Sequence, residues 1–381
     1  MCLEGFSPIT LYGLKQSPRE WYNTVYGALI ALGFIRFQAD HSAFAHLRKK
    51  NYVLLHVDDM LTLSPEDPQW LKDEIQKSFD ITDNAPATRF LGIGIVHGDN
   101  GCIFLSQQAY IRKILAKFTL YEAHPIQIPF YDKEILQPRE DTASPEEILL
   151  FRKMIGSLIW LLVDRPTVNN RPEIAFPVTK LARYAHNPSS KHLTAVKRVF
   201  RYLKGADSTC ISYSHSPEAL YGFVDADWAD KHTDSCMSTS GFLFKLANGP
   251  ISWVSKKQTC VALSSTESEY VSASLAVQEV VWLHLFMNEM DPALGSLLHL
   301  PTAIYEDNQR AICLTESHEF HRRTKHIDIK YHRLRDQVSR GVCKFVKIAT
   351  AEQAADGLTK PLQSVQFERF LTLLGMKKLS K

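Results

Sequence analysis

The chain lacks any uninterrupted apolar run long enough to cross a bilayer, and its opening, MCLEGFSPIT, lacks the basic-then-apolar order of a secretory signal. Neither feature points to a membrane, and the expected setting is intracellular. Paired cysteines are missing too. The seven, at positions 2, 102, 210, 236, 260, 313 and 343, form no C-x-x-C pair and no Cys/His cluster at zinc spacing. That pattern excludes a disulfide framework and a zinc ribbon and reads as free thiols, mostly buried. Strong net charge is also lacking: at +3, composition alone does not announce a nucleic-acid partner. There is no internal repeat and no low-complexity tract.

What is present is a 381-residue chain that is 45% hydrophobic, enough for two or three domains with real cores. Basic residues concentrate in two places. Lys197, Arg198, Arg201 and Lys204 follow one another in KRVFRYLKG, and Arg322, Arg323 and Lys325 sit in HRRTKH. Either run reads as a solvated basic face or as a surface for phosphates.

The first third mixes strand-like runs (YVLLHV, MLTL, RFLGIGIV, CIFLS) with helical patterns (SPREWYNTVYGALIALGF, QQAYIRKILAKFTL), an α+β arrangement. HGDNG carries hairpin-turn chemistry and makes its flanking runs partners. From residue 121 to about 145 the chain is polar and Pro-rich, a linker or long surface loop. Helices follow. Ser144, Pro145 and Glu147 make a capping-box start, and a later helix closes at Gly205. The insert VDRPTVNNRP is too polar and Pro-rich to continue either neighbouring helix. Beyond about residue 210 come strands (CISYSH, YGFVDADW, SGFLFKLA, ISWVSKK), a helix from about Ser265, then strand and helix in alternation. That order suits a mixed sheet with helices on its faces.

VLLHVDDMLTL sets Asp58 and Asp59 inside an apolar run. Two strands with a tight turn at the two acids is the local reading, and Asp is common in turns. Adjacent carboxylates are also the hard oxygen ligands that Mg²⁺ prefers.

Four further acids are candidates for chemistry. Asp225 lies at the end of YGFVDADW, and Asp307 ends PTAIYEDN before a helical stretch, the strand-end location where ligands collect in open sheets. At about 100° per residue, Glu269 shares a helical stripe with Ala273, Ala276, Val280, Leu283 and Met287. Glu267 falls with Ser274, Gln278 and Glu289 on a face expected to be solvated. Asp356 sits in ATAEQAADGLTKP, where Thr350 is expected to cap a short helix, Gln353 to complete the box and Pro361 to stop it. Charged residues rarely go inside unless paired or bound to metal, so this set favours a metal cage.

FVDADWAD, SGFLFKLANGPISWVSKKQ, ALSSTESEYVSAS, IYEDNQRAICL, RTKHIDIKYHRLRD and AADGLTKPL, in that order, resemble the ribonuclease H domain of copia-type retrotransposon polyproteins. LYGLKQSPREWY, the VDD stretch, RFLGIGI, FLSQQAYI and RVFRYLKG resemble the later part of the copia reverse transcriptase. The resemblance implies a truncated palm with the start of the thumb over 1–120, a linker and helical thumb or connection over 121–210, a ribonuclease H-like mixed five-stranded sheet over 211–370 and a tail over 371–381. It implies that Asp225, Glu269, Asp307 and Asp356 are the catalytic acids and hold two Mg²⁺ ions about 4 Å apart. The substrate it implies is the RNA strand of an RNA/DNA hybrid, with Gln16, Lys197, Arg198, Arg201, Arg322, Arg323 and Lys325 on the nucleic acid and other Pol products as partners. His326 and His332 read either as general base or ligand, or as surface and packing residues.

The pattern breaks in the polymerase half. The family's third palm aspartate belongs well upstream of LYGLKQ, and none of the ten residues preceding that motif is Asp; where Tyr is usual before VDD stands His56. Asp58 and Asp59 then remain as a vestigial metal site, and the insert VDRPTVNNRP reads as a second decayed spot. The expectation is a ribonuclease H beside an inactive polymerase. A non-enzymatic relic that at most binds nucleic acid, and a polymerase completed by another chain, are the alternatives.

Overall fold

The computed structural model describes residues 2–4, 15–131, 136–162, 170–229, 236–290, 301–316 and 328–379. It contains three sheets, one of them five-stranded and mixed, among helices. The chain divides into two compact units, residues 1–91 with 281–298, and residues 92–280 with 299–381.

In the first unit the elements are β1 (Cys2–Glu4), α1 (Ser17–Ala31), β2 (Ile35–Arg36), β3 (Ala43–His46), β4 (Asn51–His56), β5 (Asp59–Leu63), α2 (Gln69–Gln76), β6 (Asp80–Thr82) and β7 (Arg89–Phe90). Strands β2-β3-β4-β5-β1-β6 form one sheet in that order. Alternation along β4 buries Asn51, Val53 and Leu55, and the two apolar ones, Val53 and Leu55, meet Val25, Leu29 and Leu71 in the core of the unit. The β4–β5 hairpin turns on Val57 and Asp58, one residue earlier than its two acids suggest. Asp59 is already a strand residue, opposite His56 on β4 and Cys2 on β1. The two-residue loop demands a positive φ, and Val57 takes it at 55°, a strained value for a β-branched residue. Trp21 Nε1 donates to the Val57 carbonyl at 2.7 Å.

The second unit holds β8 (Ile93–His97), β9 (Ile103–Ser106), α3 (Gln108–Lys117), α4 (Pro145–Trp160), α5 (Ala175–Ala182), α6 (Ser190–Gly205), β10 (Thr209–Tyr213), β11 (Tyr221–Asp227), β12 (Thr239–Leu246), β13 (Gly249–Lys257), α7 (Ser265–Met290, assigned to this unit through Val280), β14 (Thr302–Glu306), α8 (Gln309–Glu316), α9 (Asp328–Ser339), β15 (Cys343–Lys347), α10 (Ser364–Leu373) and β16 (Met376–Lys378). β8 and β9 pair across HGDNG as their turn chemistry requires. The capping box of Ser144 and Glu147 opens α4. Residues 121–144 carry no helix or strand where described. They are nevertheless no free linker, because Ile128, Phe130 and Leu136 are buried among the helices.

CISYSH does not lead the mixed sheet. As β10 it pairs with β9 on one side and β16 on the other, both antiparallel. The mixed sheet runs β13-β12-β11-β14-β15, antiparallel through the first three strands and parallel from β11 to β14 to β15. α7 is long and apolar enough to cross a membrane by length and composition, but 56% of that stretch is buried inside the fold, as befits a core helix. Its stripe of Glu269, Ala273, Ala276, Val280, Leu283 and Met287 is buried along its whole length.

Of the VDRPTVNNRP insert, residues 163–169 lie outside the described residues. Its end belongs to the core: Arg171 is fully buried, its Nε donates to Glu173 Oε1 at 2.6 Å, and its Nη1 donates to the Ala206 carbonyl at 2.9 Å.

Candidate metal centre

Two strands and a helix bring three acids together. The pairing of β11 and β14 ends at Phe223–Tyr305, and two residues further along each segment stand Asp225, still in β11, and Asp307, just past the end of β14. A period of two aims both side chains at the same face. α7 crosses that region, and the Ser272 hydroxyl donates to the carbonyls of Asp225 and Gly241, at 2.8 and 3.2 Å. One turn earlier on the helix stands Glu269. One oxygen from each of Asp225, Glu269 and Asp307 lies within 4.8 Å of the others.

The helix start explains why Glu267 is buried as well, where a solvated position is the expectation. The Glu267 amide is bonded to Ser264 Oγ at 3.2 Å, and the Glu267 carboxylate accepts from the Leu263 amide at 2.8 Å. Glu267 is thus the reciprocal half of a helix cap and stays beside the backbone it satisfies.

Asp356 comes from the opposite side. The expected short helix over ATAEQAADGLTKP is two 3₁₀ turns, Thr350–Glu352 and Asp356–Leu358. Thr350 does not cap it; its hydroxyl donates to Asp307 Oδ2 at 2.8 Å. Gln353 reaches the Val224 carbonyl at 2.9 Å, and the Thr359 hydroxyl donates to Asp225 Oδ2. Asp356 Oδ1 lies 2.9 Å from Lys360 Nζ, which is 3.9 Å from Asp225 Oδ2.

Burial dominates the electrostatics. It raises the Asp225 carboxyl above its ordinary range, against the pull of Lys360. Burial, then the charges of Asp225, Glu306 and Asp307, push Glu269 up to about 11. Asp356 is pushed up to about 7, again mainly by burial. Burial works in the opposite direction on Lys360, but Asp225 and Asp356 outweigh it and its pKa rises. Acids so crowded ionise together only against a compensating positive charge.

The donor set fits a hard divalent cation. Every converging atom is a carboxylate oxygen. Glu269 Oε2 is buried with no hydrogen-bond partner, although a buried carboxylate oxygen almost always has one. Beside Asp307 the surface forms a depression of about 360 Å³ lined by Ser265, Thr266, Asn308, Gln309 and Arg310.

Sequence reasoning missed Glu306, Thr350, Thr359 and Lys360. Glu306 is 1% exposed; its Oε1 accepts from the Asn308 amide at 2.9 Å, and burial pushes it up to about 8. Strand alternation carries the signal, since Thr302 and Ile304 on the same side of β14 are buried too. The other three lie in or just after two 3₁₀ turns, too short for a period to report which way a side chain faces.

The remaining candidates lie elsewhere. Asp58 is exposed and Asp59 half-buried, and among the described residues neither belongs to a converging group of ligands. In the basic run of α6, Lys197 is exposed, the Arg198 guanidinium lies 3.3 Å over the Tyr131 ring, and Arg201 donates to the His124 carbonyl at 2.8 Å. Gln16 is exposed just ahead of α1, its carbonyl taken by the Arg19 and Glu20 amides. Arg322, Arg323, Lys325 and His326, and the side chain of His332, lie outside the described residues.

Comparison with known proteins adds a second line of observation. The profile of the family described as reverse transcriptase (RNA-dependent DNA polymerase) matches residues 8–132. The Retrovirus-related Pol polyprotein from transposon TNT 1-94 of Nicotiana tabacum is 35% identical over 96% of this chain and 28% of its own length. That from transposon RE1 of Arabidopsis thaliana is 37% identical over 97% and 25%. This chain thus spans about a quarter of the length of those relatives. The putative transposon Ty5-1 protein of Saccharomyces cerevisiae is 32% identical over 71% of this chain and 87% of its own length. Among solved structures, a foamy viral protease-reverse transcriptase in complex with dsDNA covers 89% of this chain at 15% identity; its TM-score of 0.23 is too low to support a statement about this one.

Proposed function

Since this chain belongs to the copia-type retrotransposon Pol family, we propose that its second half is a ribonuclease H that hydrolyses the RNA strand of RNA/DNA hybrids. In this reading residues 211–370 are the hydrolase, residues 1–120 a reverse transcriptase palm with the start of the thumb, residues 121–210 the thumb or connection, and residues 371–381 a tail. The observation that carries it is the convergence of three carboxylate oxygens within 4.8 Å, one from a buried glutamate with a partnerless oxygen.

Asp225, Glu269, Asp307 and Asp356 would hold Mg²⁺. Bound there, Mg²⁺ supplies Lewis acidity and a nucleophilic water to phosphodiester hydrolysis. The protein's own part is positional. Thr359 and Thr350 fix the carboxylates of Asp225 and Asp307, and burial removes competing water from Asp225 and Glu269. Hybrid recognition would rest on backbone shape and the 2′-hydroxyl, with Gln16, Lys197, Arg198, Arg201, Arg322, Arg323 and Lys325 toward phosphates and other Pol products as partners. The setting would be intracellular and away from membranes.

The polymerase half, in this reading, is idle. Asp58 and Asp59 supply two ligands of a site that needs a third, and among the described residues no further acid converges on them.

The test is Mg²⁺-dependent cleavage of a labelled RNA/DNA hybrid by the full chain, beside Asp307→Asn. Cleavage by the unaltered chain and loss by more than about a hundred-fold in the variant is expected, since even an outer partner of a metal ligand is worth about 10–100-fold. No cleavage by the unaltered chain leaves a relic that at most binds nucleic acid. Equal cleavage by both proteins refutes the site. Primer extension by the same chain should fail; extension without a second subunit would overturn the account of the palm.

A further inference from the structure

The converging group contains three acids, and the fourth candidate, Asp356, is held by Lys360. The ammonium lies 2.9 Å from Asp356 Oδ1 and 3.9 Å from Asp225 Oδ2, so Asp225 belongs both to the three-acid group and to this ion pair. The local backbone fixes the root of the lysine: its amide donates to the Asp356 carbonyl at 3.1 Å, and the preceding Thr359 is anchored on Asp225. The side chain itself is 36% exposed, against 4% for Asp225, so solvent is one step away from the head group.

A cation among crowded carboxylates does what a metal ion does there: it lowers their mutual repulsion. Lys360 and a divalent cation would therefore compete for the carboxylates of Asp225 and Asp356. The flexible four-carbon stem lets the ammonium leave without moving the backbone.

We propose that Lys360 is a built-in counter-ion of the metal centre: it keeps Asp356 and part of Asp225 occupied, swings out to solvent when a divalent cation takes them, and so sets the affinity for that cation. The inference rests on the metal-site reading above. It makes Lys360 a positioning residue that reaches the metal through Asp225 and Asp356.

The test uses the full chain and needs no turnover. Mg²⁺ binding by titration calorimetry is compared for the unaltered protein, Lys360→Met, which keeps the apolar stem, and Lys360→Arg, which keeps the charge. Lys360→Met should bind Mg²⁺ about five-fold or more tightly, and Lys360→Arg within about two-fold of the unaltered protein, the scale of an ordinary coupling between two binding events. The metal-free Lys360→Met protein should also melt at a lower temperature and gain more from Mg²⁺. A second measurement covers the case in which that variant does not fold. Acetylation of Lys360 in the unaltered chain, followed by peptide mass spectrometry against the exposed Lys113, should speed up when Mg²⁺ is added. Equal or weaker Mg²⁺ binding by a folded Lys360→Met, or acetylation indifferent to Mg²⁺ while calorimetry registers binding, overturns the counter-ion role. Absence of Mg²⁺ binding in the unaltered chain overturns the metal centre itself, and the role of Lys360 with it.

Discussion

Gly241 faces Thr359 at a distance that leaves no room for a side chain: a Cβ on Gly241 would stand 2.7 Å from Thr359 Cγ2 and 2.9 Å from Leu358 Cβ. Gly241 is also the β12 partner of Asp225, so the bare backbone lets the turn carrying Asp356, Thr359 and Lys360 lie directly on the acid-bearing strand pair. Gly241→Ala should cost about 1–3 kcal/mol by overpacking. Gly156→Ala, on the exposed side of α4 with nothing within 4 Å of its added Cβ, should be neutral or stabilise by about 0.5–1 kcal/mol. Urea unfolding of the two variants reads the contrast; equal midpoints would show that the turn yields freely.

Thr359 is an outer support of the centre. Thr359→Val keeps the shape and removes the hydroxyl that donates to Asp225. Calorimetry should find Mg²⁺ binding weakened about 10–100-fold. Unchanged affinity would mean that Asp225 needs no such support.

Arg171 and Glu173 form a buried pair, 0% and 1% exposed. Arg171→Met strands the Glu173 charge and should cost about 3–5 kcal/mol. Arg171→Met with Glu173→Gln should recover part of that loss. A double variant no more stable than the single would show that the carbonyls of Ala206 and Thr209, to which Arg171 also donates, matter more than the pair.

His192 gives the protein an acid-sensitive spot away from the metal centre. The ring is fully buried, its Nδ1 accepts from the Ser189 amide at 2.9 Å and its face stacks on Tyr184. Burial lowers its pKa from 6.5 to about 4. The unfolded chain therefore binds the proton more readily. The stabilisation is complete above the unfolded value and is lost as pH falls toward the folded one. Between about pH 7 and pH 5 the loss should be about 2 kcal/mol. His192→Phe, which retains an aromatic ring beside Tyr184, should show a pH dependence shallower by that amount. Parallel pH curves for the two proteins would rule His192 out as its source.

Where a regular period governs, the sequence was legible. The α7 stripe through Glu269 follows from 3.6 residues per turn, and Asp307 just past β14 follows from an apolar run that stops; Asp225, read as a strand end, is an interior residue of β11, which continues to Asp227. The capping role of Glu267 was open to reading as well, because Ser264 three residues earlier offers the capping hydroxyl; helical phase alone put it in solvent. The pairing of Lys360 with Asp356 was open to reading too, since a four-residue spacing makes neighbours on a helix face and the Lys360 amide bonds the Asp356 carbonyl in that pattern. Its approach to Asp225, far earlier in the chain, was not legible. The partners of β10 were equally out of reach, since β9 and β16 lie about a hundred residues before it and more than 150 after it and leave no local trace.

The four acids come from four separate stretches of chain: β11, α7, the end of β14 and the turn after β15. No hairpin or single helix brings any of them together, so the centre cannot exist in a partly collapsed chain. Closing such long loops is slow, and the reward arrives only when the last segment docks. A nascent or half-folded chain therefore has scattered surface carboxylates and no converging group of acids, and on the proposed reading divalent-ion binding becomes a chemical readout that the sheet has closed in the correct order.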